Sequence, residues 1–456
     1  MPIKRRAQAL FGALLGTVAL SAPAALADRQ QQLEQVAQTY GTLPQVTQMR
    51  LSPRGDEIAF RRTEDDQDIA LIYSLTEGET LQALDLSNIL PRSMYFVSDD
   101  HLVMVVSEVR RIRGYRGEHD ISNAHSLNIK TGAVNTLLYP GQDVMGRYRL
   151  NIQTGLGRVK GLSKGQPRLF MPAHIEPTRG RRNSEYALLA VDLDGNRRPS
   201  RVSRGSRHTI DYFMGADDEP LAREDFNNAA DTHSILVHDG RRWNAIYEED
   251  TEIPQMAITG VTAERDALVV LRIDLETGLD SYYILSLEDG ELKQLPFEGQ
   301  NADIEGVVMD VNRVVHGVSF SGYTPNQRFF DPELDQRIRK IREDNPGLSM
   351  DLVDWSSDWS SLVFHAEGAL SSGEYLLSRP DEPLTRLSAT RPEIPSNRLH
   401  PVADLTYEAR DGMEIPALLT IPRGQAEDPS GLPLIVLPHG GPEVYDRKGF
   451  HWMAQA

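Results

Sequence analysis

The run Asp354-Trp355-Ser356-Ser357-Asp358-Trp359-Ser360-Ser361-Leu362-Val363-Phe364 reads as the end of one strand, a Ser- and Asp-rich turn, and the opening of a strongly apolar strand. Gly373-Glu374-Tyr375-Leu376-Leu377 then reads as a further strand carrying an aromatic. The same order recurs upstream. Met49-Arg50-Leu51-Ser52-Pro53-Arg54-Gly55-Asp56-Glu57-Ile58-Ala59-Phe60 leads into Ile69-Ala70-Leu71-Ile72-Tyr73-Ser74-Leu75. Ala267 to Ile273 leads into Ser281-Tyr282-Tyr283-Ile284-Leu285-Ser286-Leu287 and the turn Glu288-Asp289-Gly290. Such groups open near Gln45, Pro91, Asn151, His208, Ile253, Ala302 and Met350, and a spacing of about 45–60 residues is that of propeller blades. Seven groups of about four strands predict a mainly β fold, a seven-bladed β-propeller over residues 45–397. Radial repetition of small sheets also explains how so much strand avoids long free edges. A tandem pair of β-sandwiches is the alternative, and the long, fairly even period favours the propeller. One insertion reads as helical, from Asp331-Pro332-Glu333-Leu334 to Glu343, stopped by Asn345-Pro346-Gly347.

Upstream of the repeats, Lys4-Arg5-Arg6, the apolar run Ala7 to Leu20, and Ala25-Leu26-Ala27 make the three parts of a secretory signal peptide over residues 1–27. A membrane anchor is the competing reading, but the apolar run is short for a span and a cleavage site follows it. The mature chain is therefore expected to begin near Asp28, to be exported (periplasmic or extracellular), and to keep no membrane anchor. Residues 28–44 hold a polar helix candidate, Arg29 to Gln38, with Leu33, Val36 and Ala37 along one face.

The 456 residues are 40% hydrophobic and 25% charged, which excludes wholesale disorder. A formal net charge of −18 argues against a nucleic-acid partner, which clustered Lys and Arg would serve. The absence of cysteine leaves stability to the core alone and excludes thiol catalysis and thiolate metal sites.

From Pro401 the pattern changes, and residues 398–456 read as the start of a second domain. Asp404 to Arg410 and Ile415 to Pro422 form a hairpin about Asp411-Gly412. Pro433-Leu434-Ile435-Val436-Leu437-Pro438 is apolar on both faces, as a buried central strand should be. His439-Gly440-Gly441-Pro442 follows at its end. A glycine pair there can present bare N–H groups to a developing oxyanion, or it can be a plain turn.

These residues, Tyr407-Glu408-Ala409-Arg410-Asp411-Gly412 with Ile415-Pro416 and then Pro433 to Pro442, resemble the opening of the catalytic domain of prolyl oligopeptidase family serine peptidases. The likeness is to the acylaminoacyl-peptidase and dipeptidyl-peptidase-like branch. Phe450, Met453, Ala454 and Gln455 resemble the start of the first helix after that motif. The resemblance implies a propeller ahead of an α/β-hydrolase domain, and hydrolysis of short peptides through an acyl-enzyme by a Ser–His–Asp triad. It implies neither cofactor nor metal. Gly441 is implied as the oxyanion donor through its N–H, Gly440 as the residue permitting the turn, and His439 as positional. In the α/β-hydrolase order the triad follows the oxyanion strand, so this chain is expected to be an N-terminal fragment that is inactive alone. The alternative is a non-catalytic secreted propeller that binds a peptide or protein partner.

Other features read as structural. Gly161-Leu162-Ser163-Lys164-Gly165 matches a nucleophile elbow, but it lies between strands and upstream of the oxyanion segment, so Ser163 is expected in a blade turn. Glu118-His119-Asp120 with His125 lacks helical metal-ligand spacing and is expected in a solvated loop. Asp217-Asp218-Glu219 and Glu248-Glu249-Asp250 read as acidic turns serving solubility. Trp355 and Trp359 are expected to pack between blades. Arg110, Arg111, Arg113 and Arg116 are expected to be solvated, with contact to a substrate carboxylate as the other reading.

Overall fold

The computed structural model describes residues 29–64, 67–87, 89–111, 116–179, 184–295, 301–441 and 444–456. The leader expected over residues 1–27 lies outside them, as does Arg113. Seven antiparallel sheets follow one another along the chain: β1–β4 (46–85), β5–β8 (90–136), β9–β14 (143–204), β15–β18 (209–250), β19–β22 (257–294), β23–β25 (304–329) and β26–β29 (348–389). These are the seven blades. The first strand of blade 1 (Val46–Leu51) touches the first strands of blade 2 (Leu90–Ser98) and blade 7 (Leu348–Trp355), so first strands line the axis.

Blades pack face to face, and that arrangement explains the unbroken apolar runs in the sequence. In β13 (Glu185–Asp192) every residue after Glu185 is buried, because neighbouring blades cover both faces. The outermost β4 (Thr80–Asp85) has no buried residue. Val97 and Val103 of blade 2 share a cluster with Leu169 and Leu189 of blade 3, and Phe213 and Ile235 of blade 4 share one with Leu268 and Leu285 of blade 5. Each such side chain contributes about 1.5–3 kcal/mol on full burial.

The ring closes between blades 7 and 1 by side chains and turns. Leu51 N donates to Asp354 Oδ2 at 2.9 Å, Arg50 Nη1 to Val353 O at 3.1 Å, and Ser357 N to Pro53 O at 2.8 Å. Val46, Met49 and Leu51 pack with Val363 and Tyr375. The four strands of blade 7 come from residues 348–389, and among the described residues no strand from the N-terminal side joins it. Gln45 N donates to Thr390 O at 2.8 Å, and the chain therefore enters and leaves the propeller at one point.

Several details depart from expectation. Blade 3 opens with β9 (Asp143–Val144), ahead of Asn151, and its innermost strand is split. Both β10 (Tyr148–Leu150) and β11 (Gly161–Leu162) pair with β12 (Arg168–Pro177), and residues 151–160 loop out between them. Blade 6 shows three strands among the described residues. After it, α2 (Pro332–Glu343) packs Ile338 against Leu352, Leu362 and Phe364 of blade 7. Asp331 caps the helix: its carboxylate accepts from Glu333 N and Leu334 N at 2.9 and 3.0 Å. The N-terminal helix, α1, runs over residues 29–41, a turn beyond Gln38.

His119, Asp120 and His125 lie on β7 (His119–Asn128), not in a solvated loop, because β6 (His101–Arg110) pairs with it to its end. Asp120 accepts from Arg92 Nη2 at 2.7 Å, and His125 Nδ1 meets Thr136 Oγ1 at 3.1 Å. Asp218 does more than keep a turn soluble: it accepts from Ser163 Oγ at 2.5 Å and Lys164 N at 3.1 Å, joining blades 3 and 4.

Beyond the propeller, β30 (Val402–Glu408) and β31 (Glu414–Thr420) form the expected hairpin. Residues 433–438 do not form the expected buried strand. They pair with no described strand, and Leu434, Ile435 and Val436 are 75%, 79% and 73% exposed. A strand needs a neighbour for its N–H and C=O groups, and none of the described residues supplies one here. A turn of helix, α3 (Trp452–Gln455), stands where the start of a helix was expected. Among the described residues, no helix is long and apolar enough to cross a membrane.

Candidate functional site

Each blade is a meander, so the starts of the first strands and the turns between second and third strands share one face of the disc. That near face carries Gln45 and Thr390, and residues 444–456 dock on it. Tyr445 Oη and Arg447 Nη2 both reach the Glu305 carboxylate. Lys448 N donates to Tyr323 O at 2.7 Å, while its Nζ pairs with Asp404 Oδ1 at 2.5 Å. Phe450 N donates to Glu367 Oε2 at 3.1 Å. The Phe450 ring stacks on Tyr40, with centroids 6.4 Å apart and planes at 8°, and the Arg391 guanidinium lies 4.5 Å from its centroid.

The connection from blade 7 to the hairpin is held from three sides. Tyr40 Oη donates to Arg398 O at 2.7 Å. Arg423 Nε donates to Leu399 O and its Nη2 to Ser396 O, both at 3.0 Å. Gln455, 3% exposed, behaves like a strand edge: its Oε1 accepts from His400 N at 2.7 Å and its Nε2 donates to His400 O at 3.0 Å. Burial pushes the Glu367 carboxyl up, with the Phe450 N–H and the Arg391 charge opposing it. Burial and the Arg423 charge push the His400 imidazole down. Hydrogen bonding to Lys448 holds the Asp404 carboxyl low.

Between the hairpin and this docked segment lie His439, Gly440 and Gly441, all exposed, at a bend. Gly441 has φ +79°, where a side chain is strained, and a Cβ there would stand 3.2 Å from Val444 Cγ2. The bend thus turns at an exposed residue in the left-handed region. The three residues sit beside the exposed apolar run and contact none of the buried groups of the junction.

Of the other expected features, Ser163 occupies the turn between β11 and β12. Trp355 and Trp359 stack at 4.5 Å with planes at 5°, packed with Phe329 of blade 6 and helix α2. Arg111 pairs at the surface with Glu118 at 3.4 Å. A cleft of about 1130 Å³ opens on the far face, lined by Thr262, His316, Phe330, Arg337 and Trp359. It lies across the disc from the glycine bend. The roles of Gln455, Arg423 and Tyr40 at the junction were not legible in the sequence, because each acts on backbone brought near only by docking.

No family model matches the chain. It is 26% identical over 174 residues to dipeptidyl aminopeptidase BIII of Pseudoxanthomonas mexicana, covering 36% of this chain and 25% of that protein. It is also 26% identical over 199 residues to dipeptidyl peptidase family member 6 of Caenorhabditis elegans, covering 38% and 26%. The chain thus spans about a quarter of the length of the curated relatives it matches. Its fold is similar to that of apo prolyl oligopeptidase B from Galerina marginata, with a TM-score of 0.55 and 10% identity over 87% of this chain and 58% of that one. It is also similar to a puromycin-hydrolyzing peptidase of Mycobacterium tuberculosis, with a TM-score of 0.50 and 13% identity over 85% and 60%. The class is therefore a seven-bladed propeller of the kind found in prolyl oligopeptidases. The resemblance to the prolyl oligopeptidase family, read from residues 404–456, is borne out by relatives that are dipeptidyl peptidases.

Proposed function

We propose that the chain is the propeller and the opening of the hydrolase domain of an exported serine-type peptidase that cleaves short peptides through an acyl-enzyme. The observation that carries this reading is the juxtaposition at residues 433–441: an exposed apolar run with no sheet beside it, ending in a bend with Gly441 at φ +79°. Buried against the sheet of a hydrolase domain, that run would be a central strand, and the bend would stand at its carboxyl end, where oxyanion donors belong. On this reading Gly441 N–H stabilises the tetrahedral oxyanion, Gly440 permits the turn and His439 positions it. The nucleophile, base and orienting acid come from chain after Ala456, so residues 28–456 alone hydrolyse nothing. The periplasm or the extracellular space follows from the leader at residues 1–27.

The test is the intact mass of the protein from its native host, together with labelling by a fluorophosphonate. A mass tens of kilodaltons above residues 28–456 and a labelled serine are expected. A mass equal to residues 28–456, with no labelling, leaves the second reading, a secreted propeller that binds a peptide or protein partner.

A further inference from the structure

The first turn of blade 6, Asp310-Val311-Asn312-Arg313-Val314, does not stay with its own blade. Leu162 N, at the end of the innermost strand of blade 3, donates to Asn312 Oδ1 at 2.8 Å. Blades 3 and 6 stand as far apart as a seven-membered ring allows, so this bond crosses the axis. Val311 packs against the apolar cluster of blades 2 and 3. Arg313 reaches blades 4 and 5: its Nη1 pairs with Asp211 Oδ2 of blade 4 at 2.8 Å, and its Nη2 donates to Thr259 O of blade 5 at 2.8 Å. Its ring neighbour is Phe213, 4.3 Å away. Lys160, from the excursion in the split strand, meets Asp211 Oδ1 at 2.5 Å. The backbone of the turn is seated too. Val261 N donates to Arg313 O at 2.8 Å, and Gly260 leaves the room, since a Cβ there would stand 2.3 Å from that oxygen. The turn itself is stiff, because Asp310 Oδ1 accepts from Asn312 N and Val314 N at 2.9 Å.

We infer that this turn closes the axial channel at its far mouth, so that peptide reaches the near face, where residues 402–456 lie, without threading the propeller. Neighbouring strands stand about 4.8 Å apart, so contacts of hydrogen-bond length leave no path for a peptide backbone between the turn and blades 3, 4 and 5. A substrate, which this inference takes from the peptidase reading, enters from the near side or between the propeller and its partner domain. Asn312, Arg313 and Gly260 are then residues that exclude long threaded chains; none of them touches the reacting atoms.

A disulfide tests this cleanly, because the chain has no cysteine. A Cβ at Gly161 would lie 3.4 Å from Asn312 Oδ1, so the two side chains touch, and a Gly161→Cys, Asn312→Cys pair is bridged directly or, where the Cβ separation exceeds about 4.5 Å, by a short thiol-specific crosslinker. In the native-length protein, mild oxidation or the crosslinker is expected to form the bond and leave hydrolysis of short peptides within about twofold of the reduced form. Two free thiols after both treatments, each reactive to maleimide, overturn the closure. A bond that lowers hydrolysis about tenfold or more, with recovery on reduction, shows a gate that must open and overturns the route. If neither form hydrolyses a peptide, the peptidase reading falls, while bond formation still decides the closure. In the unaltered chain, the Leu162 amide is expected to exchange slowly, and Asn312→Ala to speed it by about tenfold or more; free exchange in the unaltered chain overturns the closure as well.

Discussion

Gln455 holds His400 by both its backbone groups, and its removal leaves a half-buried N–H and C=O without that partner at the junction. Loss of one such bond costs about 1–3 kcal/mol, so Gln455→Ala is expected to speed amide exchange at His400 by about tenfold or more while the propeller melts unchanged. Unaltered exchange would show that the tail does not hold the connection. Asp354 gives a pH-dependent test at the ring seam. Burial pushes its carboxyl up to about 6, with the Arg50 charge and the N–H groups of Leu51 and Trp355 opposing. The folded state then holds this proton more tightly than the unfolded chain, whose carboxyl titrates near about 4. Its support for folding is complete below that pH and is lost as pH rises through about 6. Asp354→Asn does not titrate, so urea unfolding should show the variant gaining on the wild type from acid to neutral pH, by at most about 3 kcal/mol. Parallel stability curves would refute the assignment. Helix α2 was legible in the sequence because its start at Pro332 and its stop at Asn345-Pro346-Gly347 are local signals. Gln455 and Asp354 were not, because their partners lie 55 and 303 residues away.

At the scale of elements, residues 433–438 show what a pattern can and cannot carry. Their apolar character was plain, but strand is a property of a pair, and no described strand lies beside them. Ile435→Asp with Val436→Asp is therefore expected to raise the solubility of residues 28–456 and reduce binding of a hydrophobic dye, with stability changed by no more than about 0.5 kcal/mol. A larger loss would mean that the run packs against the propeller. In the native-length protein the same pair should abolish fluorophosphonate labelling, because two charges would enter a buried strand. The hairpin β30–β31 was legible through Asp411-Gly412, since a tight turn states its own geometry. The split inner strand of blade 3 was not, because Asn151 to Lys160 reads equally as a turn or as the opening of a blade.

For the whole molecule, the count of seven came from period alone: identical jobs repeated around an axis leave an even spacing in the chain. How the ring shuts, and what crosses its centre, did not, because Leu51 with Asp354 and Leu162 with Asn312 join residues that no local pattern links. The hydrogen bond between Gln45 and Thr390 has a direct consequence. A circular permutant joining these residues by a short linker, with new ends in the connection between Asp250 and Ala257, should keep the native circular dichroism and a cooperative melt. An unfolded permutant would mean that the two ends must be separate for the ring to close. The stacked Trp355 and Trp359 give that experiment, and any other on the seam, an optical handle. Two indoles held parallel at 4.5 Å couple their electronic transitions. Blade 7, whose inner strand borders the seam, thus carries a signature in the far-ultraviolet that vanishes when the rings part, so opening of this blade can be timed without attaching a dye.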